Sequence, residues 1–315
     1  MSLLVVGSVA LDSIETPAAK VENVLGGSAT YFSVAASFFQ TQVQIVAVVG
    51  DDFPKEYEDF LANKGIILSG LEHAKGKTFH WKGRYNAELS VAETITTELN
   101  VYEKFQPKLP ESHKNSQYVF LANIHPELQL SVIQQTHNPK LIACDTMNLW
   151  IDTTRKALLR ALQNVDMLIL NDAEAKALSG EISLKEAARV ISDYGPKQVV
   201  VKKGRRGVDF FSNSPLFQRG GRGDFTSFSV PAYPLEETDI AKVDTTGAGD
   251  CFAGGFMGYL AEVNNLSVEN IRKAVIYGSV LSSFNIESFS INRMRTLTRE
   301  EIACRFEELQ AMTKR

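Results

Sequence analysis

The stretch that decides the fold is residues 141–204, LIACDTMNLWIDTTRKALLRALQNVDMLILNDAEAKALSGEISLKEAARVISDYGPKQVVVKKG. Three short apolar runs lie in it, at residues 141–145, 165–171 and 198–204. Their composition is that of strands buried on both faces of a sheet. The residues between these runs have the spacing of amphipathic helices. Strand and helix therefore alternate, which indicates an open, mostly parallel sheet with helices on both faces.

The same alternation extends in both directions along the chain. Further buried strands are predicted from apolar runs at residues 3–12, 43–50 and 118–123. Further helices are predicted at residues 28–39, 55–65, 126–136, 248–263, 267–286 and 298–314. Ligands of such sheets bind beyond the carboxyl ends of the strands. We predict one α/β domain over residues 1–315, with its site at that edge.

One segment breaks the alternation. Residues 77–100 have strand composition and a predicted turn at Lys82-Gly83-Arg84, but no helix of useful length. This pattern favours a hairpin or a small antiparallel sheet inserted into the α/β body, and residues 11–16 are a candidate companion strand. Such an insertion is suited to act as a lid, although an ordinary surface hairpin has the same pattern.

Composition excludes several classes of protein. The chain has 315 residues, of which 44% are hydrophobic and 22% charged, and its net charge is −4. A negative protein repels a phosphate backbone, so we expect no nucleic-acid partner. Cys144, Cys251 and Cys304 lack the spacing of a disulfide framework or a zinc site and are predicted to be reduced, buried thiols. We expect a cytoplasmic protein without membrane contact, because there is no basic leader and no apolar run of membrane-spanning length.

The strongest local signal is Asp244-Thr-Thr-Gly-Ala-Gly-Asp250, which opens a predicted helix rich in small residues. Gly247 and Gly249 allow backbone amides at a helix start to converge on one point, which makes an anion site suited to a phosphoryl group. Asp250 would project beside that site, where a general base takes a proton from an attacking hydroxyl. The alternative is a helix cap with glycines in a tight turn.

This motif, with three others in the same order, resembles the ribokinase-like (PfkB) carbohydrate kinase family. The other three are Gly26-Gly27-Ser28-Ala29, Asn171-Asp-Ala-Glu174 and Lys203-Gly-Arg-Arg-Gly207. The resemblance implies a three-layer sandwich with a small β lid and an ATP- and Mg²⁺-dependent kinase. A non-catalytic sugar or nucleotide sensor on the same fold is the alternative. A dinucleotide-dependent dehydrogenase is disfavoured, because the first strand is not followed by GxGxxG.

The resemblance also implies roles for single residues. Asp250 would be the catalytic base, and the amides of Gly247, Ala248 and Gly249 the anion hole. The nucleotide would be bound by Asn171, Lys203, Gly204 and Gly207, and Mg²⁺ by Glu174 through water. Asp244 and the carbonyl of Thr246 would hold a monovalent cation, K⁺. A capping box would explain Asn171 and Glu174 as well, and a hairpin turn would explain the GRRG residues.

On the acceptor side, the implied substrate-binding residues are Asp12, Gly26, Gly27, Ser28 and Asn123. The sequence departs from the family pattern at Thr30-Tyr31, and residues 145–150 follow the family's D-x-N pattern only loosely, which leaves the sugar open. Lys82 and Arg84 are the cations near the predicted acceptor site, so an uncharged sugar or nucleoside is favoured over a phosphosugar. Tyr31, Phe79, Trp81 and Tyr85 are candidates to stack on a base. The lid residues Phe79, Trp81, Tyr85 and Ile95 could instead pack a homodimer through the lid.

Overall fold

The computed structural model describes residues 1–17, 19–86, 92–213, 225–235 and 244–313. Its strands are β1 (Ser2–Val6), β2 (Ala10–Glu15), β3 (Lys20–Gly26), β4 (Gln42–Val49), β5 (Ile67–His73), β6 (Phe79–Tyr85), β7 (Ala92–Glu98), β8 (Tyr118–Leu121), β9 (Leu141–Asp145), β10 (Met167–Asn171), β11 (Gln198–Lys202), β12 (Val208–Ser212) and β13 (Thr226–Val230). Within these residues, nine strands form one sheet in the order β13-β12-β11-β10-β9-β8-β1-β4-β5. Seven neighbouring strands of this sheet run parallel to one another, namely β11, β10, β9, β8, β1, β4 and β5. β12 pairs antiparallel with β11 on one side and with β13 on the other.

The α-helices are α1 (Ser28–Ala36), α2 (Lys55–Asn63), α3 (Pro126–Gln135), α4 (Asn148–Thr153), α5 (Arg155–Leu162), α6 (Asp172–Ser179), α7 (Leu184–Asp193), α8 (Ala248–Val263), α9 (Val268–Asn285), α10 (Asn292–Thr296) and α11 (Arg299–Met312). Short 3₁₀ helices span Asn100–Lys104, Glu111–His113 and Gly204–Arg206. The predicted helices therefore all exist, with ends that differ from the prediction by a few residues.

Two apolar cores lie on opposite faces of the large sheet. Leu3 and Val5 of β1 pack into one core, which includes α1, α8 and α9, and Leu4 and Val6 pack into the other, which includes α5 to α7. Successive side chains of a strand point to opposite faces, so a strand with a core on each side must be apolar throughout. The continuous apolar runs of the sequence thus follow from burial on both faces, and the predicted layered α/β fold is confirmed.

The predicted strand over residues 3–12 is divided in the structure. β1 ends at Val6, and β2 begins at Ala10 in a second sheet. The break lies at Gly7, where a β-carbon would come within 2.8 Å of Ser28 Oγ and of the Ala122 β-carbon. The start of α1 therefore packs closely against the backbone at the point where the chain leaves the large sheet.

The second sheet, which we call the lid, has the strand order β3-β2-β6-β7 in the described residues. The lid contains the predicted segments and also β3, which the sequence analysis left out. β2 and β6 pair in parallel, and the other two pairs are antiparallel. The predicted turn at Lys82-Gly83-Arg84 is wrong, because these residues lie inside β6. Residues 87–91, between β6 and β7, lie outside the described part.

Two smaller predictions are settled by burial and length. Cys144 and Cys251 are buried as predicted, but Cys304 is exposed on α11, so the expectation of three buried thiols is wrong for it. Among the described helices, none has both the length and the apolar character needed to cross a membrane.

Candidate active site

Polar residues gather where the parallel strands end. Asp145 is the last residue of β9, Asn171 of β10 and Lys202 of β11. Because these strands are neighbours in the sheet, their carboxyl ends meet at one edge. The first turn of α8 lies against the same edge, since a β-carbon on Gly249 would come within 2.8 Å of the Lys202 ammonium nitrogen.

The predicted anion hole lies at the start of α8. Gly247 has a φ of 73°, and a β-carbon there would lie 2.2 Å from Cγ of the Tyr31 ring, so only glycine fits. The amide of Ala248 donates to the Thr245 carbonyl at 3.2 Å. In the described residues, no carbonyl accepts from the amides of Gly247 and Gly249. These two N–H groups are therefore the stronger anion donors of the predicted three.

Asp250 lies in the first turn of α8 and is half-buried. Burial raises the pKa of Asp250 to about 8; the negative charges of Asp145 and Asp12 add to this effect, and Lys202 opposes it. A carboxyl group with a pKa near neutrality is suited to exchange a proton with a substrate hydroxyl. The structure thus brings the predicted base next to the predicted anion donors.

Asp12 lies in the middle of lid strand β2, opposite Val24 and Trp81. It is 3% exposed, and burial together with the charge of Asp244 raises the pKa of Asp12 to about 7. A β-carbon on Gly26 would lie 1.9 Å from Asp12 Oδ2, so glycine there leaves room for this carboxyl group. Asp12 was predicted at the end of the first strand; it belongs to the lid instead.

Two other predicted acceptor contacts are engaged within the protein. The Ser28 amide donates to Ser8 Oγ at 3.0 Å, and the two hydroxyl oxygens lie 3.2 Å apart. Asn123 accepts a hydrogen bond from Trp150 Nε1 at 2.8 Å and donates through Nδ2 to Met147 Sδ at 3.1 Å. Both side chains thus fix the loops around the sheet edge.

Tyr31, where the sequence departs from the family pattern, is 1% exposed. Its ring packs against Gly247 in the core, which excludes the predicted role of Tyr31 in stacking on a base in this conformation. Its hydroxyl is buried without a hydrogen-bond partner among the described residues. Tyr31 therefore supports the anion loop from behind.

On the nucleotide side, Asn171 and Glu174 form a capping box at the start of α6. The Glu174 amide donates to Asn171 Oδ1, and the Asn171 amide donates to Glu174 Oε2, both at 2.8 Å. Burial and the charge of Asp145 raise the pKa of Glu174 to about 7. The capping box that the sequence analysis gave as the alternative is therefore present. It also holds the Glu174 carboxylate near Asp145 and Lys202.

The GRRG residues form the tight turn from β11 to β12. Gly204 and Gly207 have φ values of 57° and 83°, and a β-carbon on Gly207 would lie 2.1 Å from the Val230 carbonyl oxygen. The Lys203 ammonium donates to Asp209 Oδ1 at 2.6 Å. Lys203 is therefore held by the strand next to it, away from Asp145 and Glu174.

The residues that sequence reasoning missed are Asp145 and Lys202. Asp145 is buried, and its Oδ1 accepts from the Thr146 amide at 2.8 Å. Its Oδ2 lies 3.6 Å from the Lys202 ammonium. The signal was present in the sequence, because Asp145 ends a predicted strand and Lys202 stands two residues before Gly204, at the lysine position of a K-x-G-x-x-G pattern, whereas the sequence analysis named Lys203.

The residues present fit a magnesium ion held mainly by water and phosphate. In the described residues, no group of three acidic, histidine or cysteine side chains could enclose a metal. Mg²⁺ keeps several waters and needs one or two carboxylates. Glu174 and Asp145 supply these at the sheet edge.

The predicted cation residues also fit their ion. Asp244 is fully buried, and its two oxygens accept from the amides of Thr246 at 2.9 Å and Ser290 at 3.1 Å. Among the described residues, no Lys or Arg side chain pairs with it. Asn285 donates to the Thr246 carbonyl at 2.8 Å, while its own Oδ1 is buried without a partner. The Asp244 carboxylate thus lacks a cationic partner, and Asn285 Oδ1 lacks a hydrogen bond. A monovalent cation would satisfy both groups.

Residues 2–296 match the pfkB family of carbohydrate kinases, and the chain belongs to that family. It is a phosphotransferase with an alcohol group as acceptor, of the class that phosphorylates sugars and nucleosides, and kinases of this family use ATP and Mg²⁺. The chain is 30% identical over 285 residues to a cytidine kinase of Thermococcus kodakarensis, covering 87% of this chain and 96% of the relative.

Two solved structures share the fold. The nucleoside kinase of Methanocaldococcus jannaschii superposes with a TM-score of 0.74 at 20% identity, covering 98% of each chain. A putative ribokinase II of E. coli, solved with ATP and Mg²⁺, superposes with a TM-score of 0.76 at 18% identity, covering 98% of this chain and 99% of the other. The predicted ribokinase-like fold is confirmed.

Proposed function

We propose that the protein is an ATP-dependent nucleoside kinase that phosphorylates the hydroxymethyl group of a ribonucleoside, with cytidine as the first candidate. The observation that carries the chemistry is the position of Asp250, in the first turn of α8 beside the amides of Gly247 and Gly249. The Thermococcus kodakarensis relative supports the choice of cytidine. The transfer itself forms a bond from the acceptor oxygen to the γ-phosphorus and breaks the bond from that phosphorus to ADP.

Each part of the site has a distinct task in this proposal. Asp12 orients the acceptor through its hydroxyl groups, and an Asp250 carboxylate oxygen takes the proton of the attacking hydroxyl. The Gly247 and Gly249 amides bind the phosphoryl oxygens in transit. Mg²⁺ would neutralise the negative charge of the phosphates, with Glu174 holding its waters.

Of the remaining predicted ligands, Lys203 stays in its ion pair with Asp209, and the others keep their proposed roles. The nucleotide would lie along Asn171 and the turn at Gly204 and Gly207. A K⁺ ion would lie between Asp244 and the Thr246 carbonyl, and it would hold the loop before α8 in place.

The preference for a nucleoside over a free sugar rests on Trp81. Trp81 lies opposite Asp12 in the lid register, so both side chains share one face of the lid. A β-carbon on Gly83 would lie 2.1 Å from the Trp81 ring, so the indole lies over Gly83. Trp81 is half-buried and donates to Thr94 Oγ1 at 3.2 Å. This flat aromatic surface next to Asp12 is suited to a nucleobase.

The other lid aromatics have partners of their own. The Phe79 ring lies 5.3 Å from that of Tyr102, and the Tyr85 hydroxyl lies 2.9 Å from Thr246 Oγ1. Arg84 donates to both oxygens of Glu15, at 3.1 and 3.2 Å. Because Arg84 is paired with Glu15, it is not available to bind the phosphate group of a phosphosugar.

The test uses the fact that the chain has two tryptophans. Trp150→Phe leaves Trp81 as the sole tryptophan, and nucleoside binding to this variant should change its fluorescence, whereas ribose should not. Wild-type protein is assayed for ATP consumption with cytidine, adenosine, inosine, ribose, fructose, 2-keto-3-deoxygluconate and fructose 6-phosphate. Turnover of nucleosides supports the proposal, and turnover confined to a free sugar or to the phosphosugar refutes it.

We also propose a homodimer through the lid, in a cytoplasmic protein. β7 is exposed along its length at residues 93–98, and Ile95 and Leu99 are 39% and 43% exposed. An exposed edge strand with apolar side chains favours pairing with a second copy. Sedimentation at micromolar concentration should give twice the chain mass, and a monomer would contradict the dimer.

A further inference from the structure

Ser290 has a backbone conformation that serine rarely adopts. It lies in the segment of residues 286–291 between α9 and α10, and it is 3% exposed. Its φ is 56°, in the left-handed region that favours glycine. Every other described residue with a positive φ is a glycine or an asparagine. Serine is unfavourable for the backbone here, so we expect its side chain to make a contact that offsets this cost.

That contact is with the lid. Ser290 Oγ donates a hydrogen bond to the backbone carbonyl of Leu25 in lid strand β3. Leu25 pairs with Leu11 of β2, and the next residue of β2 is Asp12. The Ser290 hydroxyl is therefore attached to the lid close to the residue that orients the acceptor in the proposed function.

The Ser290 backbone contacts the opposite side of the site. Its amide donates to Asp244 Oδ2 at 3.1 Å, and Asp244 Oδ1 accepts from the Thr246 amide at 2.9 Å. Asp244 and Thr246 belong to the loop that leads into Gly247 at the start of α8. Ser290 thus contacts the lid through its side chain and the loop before α8 through its amide.

The segment that carries Ser290 is fixed to the helices behind it. The Glu287 carboxylate accepts from Arg293 of α10 at 2.8 Å and from Arg305 of α11 at 2.7 Å. About a fifth of each of these three side chains is exposed, so solvent screens the two ion pairs only in part. The segment is therefore a firm support against which the lid can be held.

The segment and the lid also share an apolar contact. Ile286 and Phe289 pack against Ile14 and Tyr85, which are buried side chains of the lid. Apolar packing is not directional and allows one surface to slide over the other. A hydrogen bond to a single carbonyl is directional, so the Ser290 hydroxyl selects one position of the lid.

We propose that Ser290 is a positioning residue for the phosphoryl transfer, whose hydroxyl holds the lid, and with it Asp12, at a fixed distance from the anion donors of α8. This proposal rests on the proposed kinase function. The hydroxyl takes no part in the bonds that form and break. Without it the lid moves away from α8 more often, so the acceptor is bound less tightly, while Glu174 and Gly204 on the nucleotide side stay in place.

The test uses two variants and a matched control. Ser290→Gly removes the hydroxyl and takes the positive φ without strain, and Ser290→Ala removes the hydroxyl alone. The control Ser116→Ala removes another buried hydroxyl, which donates to the His113 carbonyl at 2.6 Å before the start of β8, at the opposite edge of the sheet. Lid position is read from acrylamide quenching of Trp81, which packs against Ile14 and Tyr85, in the Trp150→Phe background and without substrates.

Both Ser290 variants should increase the quenching of Trp81, because the inner face of the lid is exposed more often. They should raise KM for the acceptor about fivefold, the factor expected from one lost hydrogen bond, and leave KM for ATP within about twofold. Because saturating acceptor draws the lid closed again, kcat should also stay within about twofold. Ser116→Ala should match its parent protein in quenching and in both KM values.

The outcomes separate this proposal from the proposed function. Parental quenching and parental acceptor KM in folded Ser290→Gly would refute the role of the hydroxyl. An equal rise in both KM values, or the same changes in Ser116→Ala, would refute it as well, because these are signs of general loosening. If Ser290→Ala fails to fold by circular dichroism, Ser290→Gly decides alone. Quenching needs no turnover, so it decides the lid contact even if no acceptor is phosphorylated, a result that would refute the kinase function instead.

Discussion

Replacing the buried carboxylate of Asp12 by an amide should stabilise the protein while it removes acceptor binding. Asp12 is 3% exposed, and burial and the charge of Asp244 raise its pKa from 3.8 to about 7. Folding therefore favours the protonated form of Asp12. The stability that this proton contributes is fully present below pH 3.8 and is lost as the pH rises through 7. Asn keeps the shape and can still accept from the Gly27 amide, but it never carries the charge.

The size of the effect follows from linkage. At about 1.36 kcal/mol for each pH unit between the two pKa values, Asp12→Asn should gain up to about 2 kcal/mol at pH 5 and up to about 4 kcal/mol at pH 8. The difference between the two pH values is the decisive quantity, because it cancels changes in packing. At pH 8 the variant should also lose acceptor-dependent ATP consumption.

The assay is urea unfolding of wild-type and variant at pH 5 and pH 8, with tetramethylammonium as the monovalent cation so that no K⁺ offsets the charge of Asp244. Asp59→Asn, which changes an exposed carboxyl group on α2, is the control and should show no such trend. A gain that is equal at the two pH values, or larger at pH 5, would refute the reasoning that Asp12 is a desolvated acid.

Three further predictions concern the metal, the base and the lid. Glu174→Gln should raise the Mg²⁺ concentration for half-maximal activity about 10- to 100-fold, because it removes a charged partner of the metal's waters. The control Glu186→Gln, at a half-buried position on α7, should leave the Mg²⁺ titration unchanged. When both substrates are far below saturation, kcat/KM should rise about tenfold per pH unit below an apparent pKa of about 8, because Asp250 must lose its proton to act as a base. A flat profile from pH 6 to 8 would argue against this role. Tyr85→Phe removes the hydrogen bond to Thr246 and should lower kcat/KM for the acceptor about fivefold, because such a bond contributes roughly 1 kcal/mol. Unchanged kinetics would mean that the bond is not kept during turnover.

The large sheet was predictable where strands are buried on both faces. The runs at residues 43–50, 118–123 and 141–145 became β4, β8 and β9, because a strand between two cores must be apolar at every position. The lid strand β3, KVENVLG, was missed since most of it is exposed or half-buried and shows no clean alternation. β5, ILSGLEH, lies at the edge of the large sheet and was missed for a similar reason.

The candidate site was predictable where a backbone conformation demands a residue type. Gly247 and Gly207 have positive φ angles, and a β-carbon at either position would clash with neighbouring atoms, so only glycine fits there. The sequence analysis named Lys203 rather than Lys202, although the spacing to Gly204 and Gly207 fits Lys202, and one residue of strand register decides which face a side chain joins. The burial of Tyr31 against Gly247 also depends on how α1 and α8 pack, which no local pattern records.

The central claim is that Asp250 is the base of a phosphoryl transfer, and Asp250→Asn tests it most directly. The measurement is kcat for ATP-dependent phosphorylation of the best acceptor in the screen, in wild-type protein, Asp250→Asn and the control Asp193→Asn, with circular dichroism of all three. The account predicts a normal fold in every case and a loss of at least about two to three decades of kcat in Asp250→Asn alone. Near-normal turnover by folded Asp250→Asn would contradict it.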